Sequence, residues 1–348
     1  MGKYIFSLLI LILFVSCSPK TPYKVVKHFP TPVKIDGKRV FKNEYRIASL
    51  RIVDSLAVLS LNRDTLLSVY NKNNANFIGR FGRKGKGPGE FQRFFLLKNI
   101  IEKNGKYLAL VNDQIKKEPR IIDLSSSLKQ MKLKIYKNIE LPDSLRRTFI
   151  TDIFFASDNK YVGMYDDRIF KKLTGNRGGF ILDKSTDEFK TFSLLNLKTE
   201  PNNPSAELNL NTRIVKTSPN GKKIVFALMH TPLVEVFDIR SLSERKFLIN
   251  SNSLQTTFNL ADFNNDKVPQ YLIDIVSTGN SIYVLTSEEN SEICKSCQEI
   301  LEMGWDGKPK AVYKFSDAYK LDWFTIDTSS KAFWGVSWSD DKAYKFNF

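Results

Sequence analysis

Short apolar runs alternate with polar turns along almost the whole chain, and sustained helical periodicity is nearly absent. One set of runs comprises Arg51–Leu61, Tyr107–Val111, Tyr161–Met164, Lys223–Leu228, Ser281–Thr286 and Lys331–Trp338. Runs of this length bounded by turn residues read as strands. The clusters before them include Glu102-Lys103-Asn104-Gly105, Ser157-Asp158-Asn159-Lys160, Ser218-Pro219-Asn220-Gly221, Ser277-Thr278-Gly279-Asn280 and Asp327-Thr328-Ser329-Ser330. Their Gly, Asn, Asp and Pro supply the backbone angles of tight hairpins.

A second set of runs follows at a similar distance: Leu66–Tyr70, Arg120–Leu124, Gly179–Asp183, Leu233–Ile239, Ile300–Trp305 and Lys342–Phe348. Each leads into another turn and strand, so the unit is strand, turn, strand, longer loop, strand, turn, strand. Six such units fill residues 41–348 at about 51 residues each, near the repeat of propeller blades. A lone blade leaves both faces apolar, so blades must stack around an axis and close. The expected fold is therefore all-β, a six-bladed β-propeller of four-stranded antiparallel blades. Tyr23–Phe41 holds Val25-Val26, Val33-Lys34-Ile35 and Val40-Phe41, too little for a blade. That segment is expected to lend the last blade a strand and seal the ring. The C-terminal alternation Tyr344-Lys345-Phe346-Asn347-Phe348 reads as an edge strand needing such cover.

The first residues follow a different pattern. Lys3 precedes an unbroken apolar run, Tyr4–Val15, which suits a secretory signal and falls short of the ~20 residues a spanning helix needs. Leu13-Phe14-Val15-Ser16-Cys17 resembles a bacterial lipobox, with Phe14 where leucine is usual. The resemblance implies that residues 1–16 are a removed signal peptide and that Cys17 becomes the acylated N-terminus, palmitate among its chains. An ordinary signal peptide cut near Ser16, or a short anchor, is the alternative. Residues 17–40 would then be a lipidated tether and closing strand and 41–348 the propeller. Such a protein is held at a membrane by buried methylenes, ~0.8 kcal/mol each.

Composition narrows the partners. With 42% hydrophobic and 12% aromatic residues the chain can build a large core. Its net charge of +16 would suggest nucleic acid in a cytosolic protein. Export removes that partner and leaves anionic glycans, lipopolysaccharide phosphates and membrane surface. Besides Cys17 there are two cysteines, Cys294 and Cys297, in Cys-Lys-Ser-Cys. In an oxidising compartment they read as a small loop disulfide. A redox pair would need a βαβ context, and zinc would need four ligands with finger-like spacing.

Phe77–Phe91 reads FIGRFGRKGKGPGEF, a run of glycine turns between aromatic anchors. It lacks the spacing and following helix of a phosphate loop. It resembles the strand crossing of NHL-type propellers. Together with the lipobox and Met303-Gly304-Trp305-Asp306-Gly307-Lys308-Pro309, the chain resembles the TolB-like six-bladed propeller lipoproteins of Bacteroidetes, essentially over its whole mature length. That resemblance implies an outer-membrane lipoprotein. In that group an acidic stretch just after the cysteine accompanies surface export; Ser18-Pro19-Lys20-Thr21 has no acid, so the resemblance leans to the periplasmic face.

Candidate chemistry is sparse. Two histidines, His28 and His230, leave little general-base capacity, and no Gly-x-Ser-x-Gly elbow occurs. A basic rim loop of Arg80, Arg83, Lys84 and Lys86 could meet phosphate or uronate. Trp305, Trp323, Trp334 and Trp338 read as core of the last two blades. The expected function is non-catalytic binding or scaffolding of a protein or glycan, with no cofactor. The alternative is a metal-dependent hydrolase or lactonase holding a divalent cation on the axis. Asn112, Asp113, Asp166 and Asp167, placed just past inner strands, are its candidate ligands; turn or cap roles explain the same residues.

Overall fold

The computed structural model describes residues 23–348, except 88, 93–98, 114, 117, 147, 158, 170–171, 266, 288–297 and 317–318, and except the side chains of 146 and 167–174. Six four-stranded antiparallel units follow one another. Blade 1 runs Ile47–Val53, Leu56–Leu61, Thr65–Asn71 and Phe77–Arg83. Blade 2 runs Ile100–Lys103, Lys106–Asp113, Glu118–Asp123 and Ile135–Asn138, and blade 3 Phe149–Ser157, Lys160–Ile169, Lys172–Asp183 and Glu188–Ser193. Blade 4 uses Arg213–Thr217, Lys223–Leu228, Leu233–Asp238 and Glu244–Ile249. Blade 5 uses Leu272–Ser277, Ser281–Ser287, Gln298–Gly304 and Pro309–Phe315. Blade 6 has Trp323–Asp327, Ala332–Ser337 and Lys342–Asn347, completed by Gly37–Val40 from the N-terminal region. The ring is a closed six-bladed propeller, sealed as the sequence leads one to expect.

Local chemistry explains the hairpins. In blade 2 Lys103 pairs with Lys106, which leaves Asn104-Gly105 as a two-residue turn with both φ positive, 51° and 70°. That is the type I′ geometry whose twist matches the flanking strands. Short helices fill the longer connections. Pro204–Leu210, between blades 3 and 4, starts on Asn203, whose side chain accepts from the Ala206 N–H, with proline in the first turn.

The core lies between blades. Val225 and Ala227 pack toward blade 5, whereas Ile224 and Phe226 of the same strand pack toward blade 3. Successive side chains of a strand point to opposite faces, so each central strand feeds two cores. Fully burying a side chain such as Phe226 contributes roughly 1.5–3 kcal/mol. The sixth interface closes the circle: Phe41, Leu50 and Leu59 meet Trp334 and Val336.

Two features differ from the sequence reading. The first set of runs supplies second strands rather than first ones, with Arg51–Leu61 also taking in the end of the inner strand of blade 1, and the innermost strands are otherwise the less conspicuous segments before each turn cluster. The N-terminal region also does more than close the ring. Lys24–Val26 adds a parallel strand to blade 4 and Val33–Ile35 one to blade 5 before Gly37–Val40 enters blade 6. The segment thereby ties three blades together.

Candidate binding site on the ring axis

Because each inner strand ends in a hairpin to its second strand, six such hairpins converge on the axis at one face. There they surround a cavity of about 1010 Å³. All six blades contribute, through Ile52, Glu102, Ser157, Asn220, Ser277 and Thr328 among others. The turn clusters conspicuous in the sequence are thus the wall of this funnel. Their Ser, Thr and Asn side chains, chosen for turn geometry, also present donors and acceptors to its interior.

Deeper in the funnel the wall becomes charged. Arg51 of blade 1 and Lys216 of blade 4 both lie against the ring of Trp323 from blade 6, at 4.4 and 4.5 Å from its centroid. The indole Nε1–H donates to the Leu50 carbonyl at 3.3 Å, which fixes the ring. Asp274 of blade 5 accepts from Lys216 Nζ at 3.2 Å and from the Phe324 N–H at 3.0 Å. Four blades therefore meet in one cation–aromatic–carboxylate cluster. Burial pushes the Arg51 guanidinium down to about 10, with Asp274 opposing the shift. It still carries its charge at neutral pH. A cation over an indole face gains more as it is desolvated, and Arg51 and Lys216 are both buried.

The sequence-predicted residues lie elsewhere. Asn112 and Asp113 end the second strand of blade 2, not an inner strand, at the end away from the funnel hairpins. Asp113 accepts from the Gln92 N–H at 2.8 Å and from the Ile115 and Lys116 N–H groups at 3.2 Å. Asn112 donates to the Ile150 carbonyl at 3.3 Å. Asp166, at the matching position of blade 3, faces Arg177 Nε at 3.4 Å. The Asp167 side chain lies outside the described residues. Turn and pairing roles thus occupy Asn112, Asp113 and Asp166. Among the described residues no group of three or more His, Cys, Asp or Glu is placed to hold a metal.

Arg80, though partly exposed, is engaged by its own blade rather than free on the rim loop. It sits in the last strand of blade 1 and binds the buried Glu44 at 2.6 Å and Ser68 Oγ at 3.0 Å. Arg83, Lys84 and Lys86 remain exposed. Their loop packs on the connection after Asp113 through Lys116, whose Nζ donates to the Glu90 carbonyl at 2.9 Å, so it lies on the face opposite the funnel. Three tryptophans are core as read, but Trp338 is 53% exposed and donates from Nε1 to the Ala48 carbonyl. Burial lowers the pKa of His230, whose Nδ1 meets the Pro269 carbonyl. Cys17, Cys294 and Cys297 lie outside the described residues.

Sequence reasoning missed Arg51, Lys216 and Asp274. Each is a charge inside an otherwise apolar inner strand, alone for Arg51 and Asp274 and beside Arg213 at the strand's start for Lys216, as in Arg213-Ile214-Val215-Lys216-Thr217 and Leu272-Ile273-Asp274-Ile275-Val276. A charge interrupting a buried strand was the available signal.

No family model and no curated protein matches the chain in sequence. Solved structures do match in shape. A member of the DUF4221 family from Bacteroides vulgatus aligns with TM-score 0.60 and 12% identity, over 91% of this chain and 97% of that one. A protein of Bacteroides fragilis inferred to be exported aligns at 0.54 and 11%, over 93% and 99%. A luciferin-regenerating enzyme aligns at 0.50 and 11%, over 89% and 94%. At such identities the likeness is one of fold.

Proposed function

We propose that this chain is a non-catalytic, lipid-anchored binding protein of the cell envelope, related to the TolB-like and NHL-like propeller lipoproteins, and that its axial funnel seats an acidic glycan. The observation that carries this reading is the cavity of about 1010 Å³ walled by all six blades, with two cations on its wall, Arg51 and Lys216, that both lie against the ring of Trp323. Concave sites of this size hold ligands of several rings. Hydroxyl and amide side chains on the wall return hydrogen bonds to sugar hydroxyls leaving water. The two cations complement a uronate carboxylate or a sulfate.

Glycoside hydrolysis uses two carboxylates flanking the scissile bond. Among the described wall residues Glu102 is the one carboxylate, and the neighbouring Asp274 is engaged by Lys216 and two backbone N–H groups. This favours binding over turnover. The secretory start of the chain and its likeness to a protein inferred to be exported support an envelope address, and acylation of Cys17 would set it at the outer membrane, on the periplasmic side.

The test is calorimetric titration with a uronate-containing oligosaccharide and with its neutral counterpart, on the wild type and on Lys216→Met. Methionine keeps an aliphatic stem against Trp323 and removes the charge. The acidic sugar is expected to bind about tenfold more tightly than the neutral one, with that preference lost in the variant. Equal affinity for both sugars, or binding of neither, overturns the reading. A stoichiometric divalent cation by elemental analysis, accompanied by lactone or ester turnover, would install the hydrolase instead.

A further inference from the structure

A second opening lies where blades 4 and 5 meet. It is a cleft of about 500 Å³ whose walls include Lys223, Arg245, Trp305, Asp306, Lys308 and Lys310. Gly279 lines both this cleft and the funnel, so the two adjoin. Arg245 and Lys308 are exposed. Lys223 Nζ stands 5.3 Å from the Trp305 ring, and Lys310 Nζ donates to the Asn280 carbonyl at 2.8 Å and Ser281 Oγ at 2.7 Å. Against these four cations, Asp306 accepts from the Lys308 N–H at 3.0 Å, and Glu302 lies 4.0 Å from Lys310.

The chain enters the body at the same place. Lys24 opens the first described strand, and its Nζ donates to the Asp306 carbonyl at 3.0 Å. From Cys17 to Lys24 an extended chain reaches about 25 Å at most. An acyl group on Cys17 therefore holds this rim of the ring close to a bilayer. Acylation works best with a second signal, and a basic patch near the surface is the usual one.

We infer that the cleft between blades 4 and 5 is the surface by which the protein docks on its membrane, with Lys24, Arg245 and Lys308 taking headgroup phosphates. This rests on the lipid-anchored reading for its geometry. Docking through this cleft turns the adjoining funnel toward the headgroup layer, so the funnel ligand is presented from the membrane side.

The body from Ser18 onward contains every described strand and the closing contact, and serves for the test. It is sedimented with vesicles of phosphatidylcholine, with and without phosphatidylglycerol. Binding is expected only to the anionic vesicles and is released by salt. Arg245→Gln with Lys308→Gln should weaken partitioning about thirtyfold, at about 1 kcal/mol for each basic residue near an anionic surface. Lys84→Gln with Lys86→Gln, on the opposite face, should leave it unchanged. No binding to anionic vesicles, or equal loss from both pairs, overturns the inference. Displacement by inorganic phosphate at the lipid-phosphate concentration would mark a free-phosphate pocket and overturn it too. The mass of the mature N-terminus tests acylation independently, so failure of the anchor and failure of the docking surface are read separately.

Discussion

Replacing Glu44 by glutamine removes one negative charge from the turn that joins the closing strand to blade 1. The Glu44 side chain is fully buried and accepts from Arg63, from Arg80 Nη2 at 2.6 Å and from Tyr70 Oη at 2.7 Å. One carboxylate thus ties the entrance of blade 1 to groups from its outer three-strand region. Breaking a buried pair from one side costs about 3–5 kcal/mol. Solvent reaches 39% of the Arg80 side chain and 11% of Arg63, and glutamine keeps one acceptor, so the lower end applies, about 3 kcal/mol. With an unfolding entropy near 2.1 cal/mol/K per residue over about 300 described residues, this lowers Tm by about 4–5 °C.

The pH dependence follows from the direction of the shift. Burial alone would raise the Glu44 pKa, but hydrogen bonds from Tyr70, Arg80 and Ser68 and the charge of Arg63 outweigh it and leave it lowered. A depressed carboxyl stabilises fully above its unfolded value, here 4.5, and loses that contribution as pH falls through the folded value. Thermal unfolding of the wild type and Glu44→Gln, followed by circular dichroism at neutral pH and again below pH 4.5, should show a Tm gap that narrows in acid. A gap under about 1 °C at neutral pH would refute the assignment of this carboxylate as a closing contact.

Two further substitutions probe the same framework. Gly221→Ala places a Cβ 1.4 Å from the Ala156 carbonyl oxygen at a φ of +63°, so the hairpin against blade 3 cannot keep its place; a loss of about 3 kcal/mol or more in urea unfolding is expected, and a near-wild-type midpoint would contradict the packing described. Asp274→Asn leaves Lys216 without its carboxylate and Arg51 without its nearby negative charge, and should cost about 2–3 kcal/mol while Lys216→Met restores part of it in the double variant; simple additivity of the two would argue against a shared cluster.

Blade number, four-stranded units and ring closure were all legible because they rest on local chemistry. Turn residues every few positions and alternating apolar runs set strands and hairpins before any long-range contact forms. The spacing then admitted a ring and little else. Which strand faces the axis was not legible. Inner and second strands are both apolar on both faces, since each is packed between neighbouring blades, so periodicity cannot rank them. That ambiguity makes Asn112, Asp113 and Asp166 read as following inner strands; they lie in second strands, where turn and pairing roles hold them.

The cation–aromatic–carboxylate cluster belongs wholly to the tertiary structure. Arg51, Lys216, Asp274 and Trp323 come from four blades and are up to 272 positions apart in the chain, a separation no local pattern spans. Likewise Lys24 stood out in the sequence only as one cation among many, and the parallel pairing with blade 4 brought it to the Asp306 hairpin. Local propensity determined what each segment is, and closure of the ring decided which segments meet.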